Sequence, residues 1–242
     1  MYHPILVIST RKQAVLQLNL LILSQACLNA GITLGAEGTA ADRKAVIVWK
    51  IESAAVIGGQ TPQVIGTPKT NASAGERALQ FNGRGDGLIV PVNPIAGWSS
   101  FTIEVLFLPE ADGPRAQRFL HIADRVGSRA LIETRTTDGK SWILDTYLAC
   151  SKKGRTLRNR TKRHPTGKWA WVALAYDGKK MTDYVNGVRE FEGRTAFPPM
   201  TDGVTSLGMR LNKVFWFKGC IKEIRFTPAA LAPDALQHLP EK

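Results

Sequence analysis

The segment Gly167–Val188, GKWAWVALAYDGKKMTDYVNGV, restricts the fold more tightly than any other part of the chain. Trp169, Trp171, Ala173, Ala175 and Asp177 fall on one face of an extended run, and Ala170, Val172, Leu174 and Tyr176 on the other. Alternation of this kind separates an aliphatic face from a mixed one, as a strand with one buried side requires. Asp177-Gly178 supplies a turn, because glycine takes positive φ without steric cost. Met181–Val185 returns as a second strand, and Asn186-Gly187 is the strongest short hairpin signal. Two turns so close together predict a meander of short antiparallel strands.

The rest of the chain carries the same punctuation. Strands are predicted at Lys44–Glu52, Val64–Thr67, Ala78–Asn82, Gly87–Val92, Ser100–Leu108, Gln117–Ala123, Ala130–Thr136 and Ser141–Ala149. After the hairpin follow Val188–Glu192, Thr205–Leu211 and Phe215–Phe226, then a short helix over Ala232–Leu239. With 242 residues, 44% of them apolar, the chain can bury one sizeable core. The expected class is all-β: two packed antiparallel sheets with a short C-terminal helix. No apolar run is long enough for a convincing membrane span.

Several motifs resemble the laminin-G-like, concanavalin A-like lectin/glucanase domains, in the order that family has them. Trp169 to Gly178 followed by Tyr184-Val185-Asn186-Gly187 is similar to its signature hairpin. Ala78–Gly83 resembles its early L-x-F-(D/N)-G strand, and Phe101–Val105 its F-T-(V/I)-E strand. Phe217–Phe226 resembles the closing G-x-I-x-E-(V/I)-R-(I/F) strand, and Ala229–Pro233 the tail after it. The resemblance implies a jelly-roll sandwich over residues 43–239, on a scaffold that hosts lectins, enzymes and adhesion domains alike.

The N-terminus has a different texture. Arg11-Lys12, the apolar run Ala14–Leu23 and the small residues up to Ala30 follow the order of a secretory signal. We expect a signal peptide over 1–30, a Gly/Ala/Thr linker over 31–42, and a secreted, periplasmic or cell-surface product. In such a compartment Cys150 and Cys220 have two readings, a disulfide or two separate buried thiols, and the second is preferred. Neither C-x-x-C nor H-x₃-H spacing occurs, so no metal or other cofactor is expected. Calcium at Asp86, Asp112 or Asp138 has no ligand-spaced cluster behind it. Arg84-Gly85-Asp86 reads as the turn after Phe81-Asn82-Gly83 rather than as an adhesion motif.

Alternation also gathers the polar candidates. Gln117, Phe119 and His121 are expected on one face of their strand; Leu131, Glu133 and Arg135 share a face of the next; Ile143, Asp145 and Tyr147 share a face of the third. The Asp138-Gly139 turn pairs the last two strands. Glu133, Arg135, Asp145 and Tyr147 then occupy one surface, with His121 beside them. Arg210 and Asn212 are expected at the same groove. The plainest reading is a solvated sheet face. The functional reading is a glycan surface, since these side chains supply the hydrogen bonds and ring stacking that sugars need. An enzyme on this scaffold would draw on His121, Glu133, Asp145 and Tyr147. A hydrolase uses two carboxylates about 5–10 Å apart, a role for which Glu133 and Asp145 qualify by position. A lyase would take His121 and Tyr147 as base and acid, with Arg135 neutralising a uronate. The E-x-D-x-E strand of the family's glucanases is absent: the chain reads Thr102-Ile103-Glu104-Val105-Leu106.

Net charge is +12, which favours polyanionic partners. The segment Lys152–His164 concentrates it in Lys152, Lys153, Arg155, Arg158, Arg160, Lys162 and Arg163. It is expected as a loop, either a solvated one or a polyanion clamp beside the sheet groove. Aromatic residues are not interleaved with these charges, which argues against nucleic acid. The partner expected is an acidic or sulfated glycan, with a protein-binding adhesion module as a further class.

Overall fold

A computed structural model of the chain describes residues 45–72 and 77–240. The predicted signal and linker lie outside them. Among the described residues sixteen strands form two antiparallel sheets. In chain order they begin with β1 (Ile47–Lys50), β2 (Gln63–Ile65), β3 (Lys69–Asn71), β4 (Ala78–Asn82), β5 (Gly87–Val90) and β6 (Phe101–Pro109). Next come β7 (Ala116–Asp124), β8 (Arg129–Thr136), β9 (Ser141–Cys150), β10 (Lys153–Leu157) and β11 (His164–Pro165). The last are β12 (Ala170–Tyr176), β13 (Lys180–Val185), β14 (Val188–Arg194), β15 (Gly203–Leu207) and β16 (Lys218–Thr227).

The first sheet runs β14-β13-β12-β6-β16-β4-β3, with β1 also on β16. The second runs β10-β9-β8-β7-β15-β5-β2, with β11 also on β9. The predicted hairpin is the β12–β13–β14 meander, and Asn186 takes the positive φ of 47° that its turn needs. Its aliphatic face, Val172, Leu174 and Tyr176, is buried between the sheets.

Aromatic packing across the sandwich holds the second sheet in place. Phe107 of β6 stacks on Phe119 of β7 with centroids 4.5 Å apart, and Trp142 of β9 meets Phe107 edge-on at 5.1 Å. Each such side chain contributes about 1.5–3 kcal/mol by burial alone. Ala130, Ile132, Leu144 and Leu148 complete the inward face of β8 and β9. The intervening residues are thereby turned outward, and the candidate side chains are among them.

The expected C-terminal helix is a single 3-10 turn, Pro233–Ala235, flanked by extended Ala232 and Leu236. Tertiary anchoring outweighs helix formation here. Leu231 and Leu236 pack on Ala173, Ala175 and Tyr184 on the outer face of the first sheet, and the Gln237 N–H donates to Glu104 Oε1 at 2.7 Å. That tail covers Glu104, and the burial raises its pKa above the ordinary carboxylate range. The strand expected at Phe215–Phe226 starts only at Lys218, and the one expected at Thr205–Leu211 ends at Leu207.

Candidate functional site

The outer face of the second sheet carries an ordered block of charge. The β8–β9 register sets Glu133 opposite Asp145 and Leu131 opposite Tyr147. The β7–β8 register adds Arg118 opposite Glu133 and His121 opposite Leu131. Across β10, Thr156 stands opposite Tyr147. Arg118, Leu131, Glu133, Asp145, Tyr147 and Thr156 border a recess of about 350 Å³, which Arg129, Arg135, Arg158 and Arg210 also line.

The face expected for Gln117, Phe119 and His121 is not the one observed. Pairing on β7 shifts between Arg118 and Leu120, so Phe119 is an extra residue and the alternation changes phase there. Gln117 is buried with its amide donating to Thr136 Oγ1 at 3.0 Å, and Phe119 enters the core. Arg118 takes the outward place beside Glu133. The adjacent apolar pair Phe119-Leu120, between polar Arg118 and His121, is the sequence trace of this bulge.

Two carboxylates and three guanidiniums interlock at the recess. Arg135 Nε donates to Asp145 Oδ2 at 2.7 Å, and Arg158 Nη1 reaches the same oxygen at 3.3 Å. Arg135 Nη2 lies 3.5 Å from Glu133 Oε2. Arg118 Nε is 2.8 Å from Glu133 Oε1, but its N–H does not point along that line, so the contact is an ion pair without an aligned hydrogen bond. The Glu133 and Asp145 side chains are only 5% and 2% exposed. Burial pushes Glu133 up to about 7, with the Asp145 charge adding to the rise, while Arg118 and Arg135 pull it down less than burial raises it.

A loop between β15 and β16 walls the recess from the other side. Lys213 and Phe215 both hold left-handed φ, 57° and 58°. For a bulky residue this is a strained conformation that must be imposed by its surroundings. The Arg118 N–H donates to the Phe215 carbonyl at 2.9 Å, and the guanidinium stacks 3.6 Å from the Phe215 ring centroid. Phe215 thus holds Arg118 through both its carbonyl and its ring. His121, 3% exposed, accepts the Leu211 N–H on Nδ1 at 3.2 Å and anchors the same loop from below. Burial and the arginines around it push His121 down to about 3, so it is neutral. His121 and Asn212 are not among the residues bordering the recess; Asn212 is exposed near the loop tip. Arg118 and Arg129 were not singled out by the sequence pattern.

The basic segment Lys152–His164 is not a loop throughout. Ser151 turns the chain at φ 54°, β10 pairs back on β9, and β11 begins at His164. Pairing disperses its charges. Arg158 enters the recess, Arg155 lies against Gly193 of β14, and Arg163 pairs with Asp138 at 3.7 Å. Lys152, Lys153, Arg160 and Lys162 are exposed. Cys150 and Cys220 are free thiols, and burial pushes Cys220 up to about 11. Asp86 accepts the Thr67 and Asn82 N–H groups, Asp138 those of Lys140 and Ser141, and Asp112 pairs with Lys218. Among the described residues no group of three His, Cys, Asp or Glu is placed to hold a metal ion.

The family model described as the concanavalin A-like lectin/glucanases superfamily matches residues 82–237. The chain belongs to this superfamily. Comparison with curated protein sequences finds no match. Among solved structures the chain is similar to domain 4 of AbnA, a GH43 extracellular arabinanase from Geobacillus stearothermophilus, in complex with arabinotriose. The TM-score is 0.59 at 21% identity, over 80% of this chain and 97% of that one. It is also similar to the binding domain of Botulinum Neurotoxin DC in complex with SialylT, with TM-score 0.56 at 13% identity. That match covers 78% of this chain and 49% of the other, so the chain spans about half of it. A sialidase, NanB of Streptococcus pneumoniae, matches with TM-score 0.51 at 16% identity over 67% of this chain and 27% of its own. At these identities the structures establish the shared lectin-like fold. Among the described residues no helix is long and apolar enough to cross a membrane.

Proposed function

We propose that the chain is an exported glycan-binding module whose recess on the outer face of β7–β10 takes an acidic sugar. The observation that carries this reading is the composition of the recess. Five guanidiniums face two carboxylates, which leaves three positive charges around the apolar Leu131 and the ring of Tyr147. An apolar wall with a few fixed polar groups is the usual form of a small-ligand site. Guanidiniums hold carboxylate and sulfate oxygens through paired N–H donors. The arabinotriose and SialylT complexes of the two similar structures support a glycan as the ligand. Export rests on the Arg11–Ala30 pattern. A glycan array with acidic and neutral members tests the reading: acidic glycans are expected to be retained, and less so as salt rises. Failure to retain any glycan overturns it and favours a protein-binding adhesion module.

One observation favours an enzyme as second reading. Glu133, with its pKa near 7, stands beside Asp145 in the recess, as an acid and its partner would. Assays for new reducing ends and for unsaturated uronates on every retained glycan decide it; binding without product rejects the enzyme for those glycans.

A further inference from the structure

We propose that the recess has two unlike halves: Arg129 and Arg210 form its anion subsite, and the Glu133–Asp145 half receives uncharged hydroxyls. The ligand is then a sugar unit that carries one anionic substituent on an otherwise neutral ring. This rests on the recess being a glycan site and names the charge pattern of what it takes.

The division follows from which charges are already matched. Arg118, Arg135 and Arg158 each face Glu133 or Asp145 within 3.5 Å. A guanidinium held by a protein carboxylate gives up that contact when it turns to a ligand anion, so its net gain is small. Arg129 and Arg210 line the same recess and have no carboxylate partner among the described residues. Their attraction for a ligand anion is therefore not discounted in this way. Arg129 is placed by Tyr147, its guanidinium 5.7 Å from the ring centroid. Arg210 is placed by the strained loop, its N–H donating to the Val214 carbonyl at 3.0 Å. Arg129 lies two residues from Leu131 on the same face of β8, and Leu211, next to Arg210, donates to His121, which stands opposite Leu131, so both arginines belong to the Leu131–Tyr147 end of the recess.

The other half suits hydroxyl groups. The contacts from Arg135 and Arg158 converge on Asp145 Oδ2, which leaves Oδ1 to accept a hydroxyl proton. A carboxylate bridged by arginines accepts from a sugar hydroxyl and repels a second anion. Size agrees with one such unit: about 350 Å³ is at the small end of ligand sites, which span about 300–1,000 Å³. Of the basic residues in the Lys152–His164 segment, only Arg158 lines the recess, and it is committed to Asp145.

The test measures affinity by NMR titration for methyl glucuronide, glucose 6-sulfate and methyl glucoside, in the full chain and in Arg129→Gln, Arg210→Gln and Arg158→Gln. Arg129 and Arg210 are partly exposed, so the variants should fold, and thermal unfolding checks this. The expected result is at least a ten-fold preference for an anionic sugar over the neutral one. That preference should fall toward unity in Arg129→Gln and Arg210→Gln and persist in Arg158→Gln. Whichever anionic sugar binds more tightly identifies the substituent. A preference that survives in Arg129→Gln and Arg210→Gln and is lost in Arg158→Gln overturns the subsite assignment while leaving a glycan site standing. Binding of none of the three sugars, with no retention on the acidic array, overturns the glycan reading itself.

Discussion

Replacing Glu133 with glutamine should remove about 3 kcal/mol of the chain's stability change between pH 4.5 and 7. The Glu133 side chain is 5% exposed, and its pKa rises from an ordinary 4.5 to about 7. Burial is the first cause, and the Arg118 and Arg135 charges only partly offset it. In the folded chain the proton therefore stays on Glu133 up to about pH 7, whereas the unfolded chain releases it near 4.5. Between these values the folded state binds more protons, so stability falls as pH rises. The fall is complete above pH 7 and amounts to about 3 kcal/mol, at about 1.4 kcal/mol per pH unit of displacement. Glutamine reproduces the uncharged acid and has nothing to titrate. Urea unfolding of both proteins at intervals from pH 4.5 to 8 measures this directly. Asp183 and Glu104, also raised by burial, are present in both proteins and cancel in the difference. The two stability curves should converge or cross with a differential slope confined to this window. Parallel curves would refute the reasoning, whatever their vertical offset, because an offset reports only the altered contact with Arg118. The same proton sets the recess charge: ionisation of Glu133 removes one of its net positive charges, so affinity for an anionic sugar should weaken as pH rises through 7 in the parent chain and not in Glu133→Gln.

A methyl group on Gly154 would overlap the Tyr147 hydroxyl, and Gly154 does not require positive φ. Gly154→Ala should therefore displace the Tyr147 ring from its present position beside Arg129 and lower acidic-sugar affinity about five-fold, equivalent to ~1 kcal/mol, with little change in melting temperature; unchanged titrations would show that the ring does not shape the site. Asp183 is buried in the sandwich with only Thr146 Oγ1, at 2.6 Å, donating to it among the described residues, and burial raises its pKa well above the ordinary value. Asp183→Asn should raise the melting temperature more at pH 8 than at pH 5, because only the parent must keep or lose a proton there; equal shifts at the two pH values would count against a buried titrating acid.

Much of the fold is legible locally. Period-2 alternation and the Asp-Gly and Asn-Gly turns define β12, β13 and β14, and the same alternation places Glu133, Arg135, Asp145 and Tyr147 on one face of β8 and β9. Those signals lie within a few residues of one another, so a linear chain carries them intact. The C-terminal tail shows where local reading stops. Ala232–Leu239 has helix-compatible residues, yet Leu231 and Leu236 gain more by packing on Ala173 and Ala175 than a short isolated helix could supply.

By itself, then, the sequence determined the sandwich class, the superfamily and the shared face of β8 and β9, because each depends on spacing along one strand or one turn. The recess was decided by tertiary structure. Arg118 faces it through a bulge that changes the phase of β7, Arg158 reaches it because β10 folds back on β9, and Arg210 enters on a strained loop tied to Arg118 and His121. Which arginines remain without a carboxylate is likewise a property of distances between strands far apart in the chain. Strand register and side-chain pairing settle those distances, and neither is written in the order of residues along a single element.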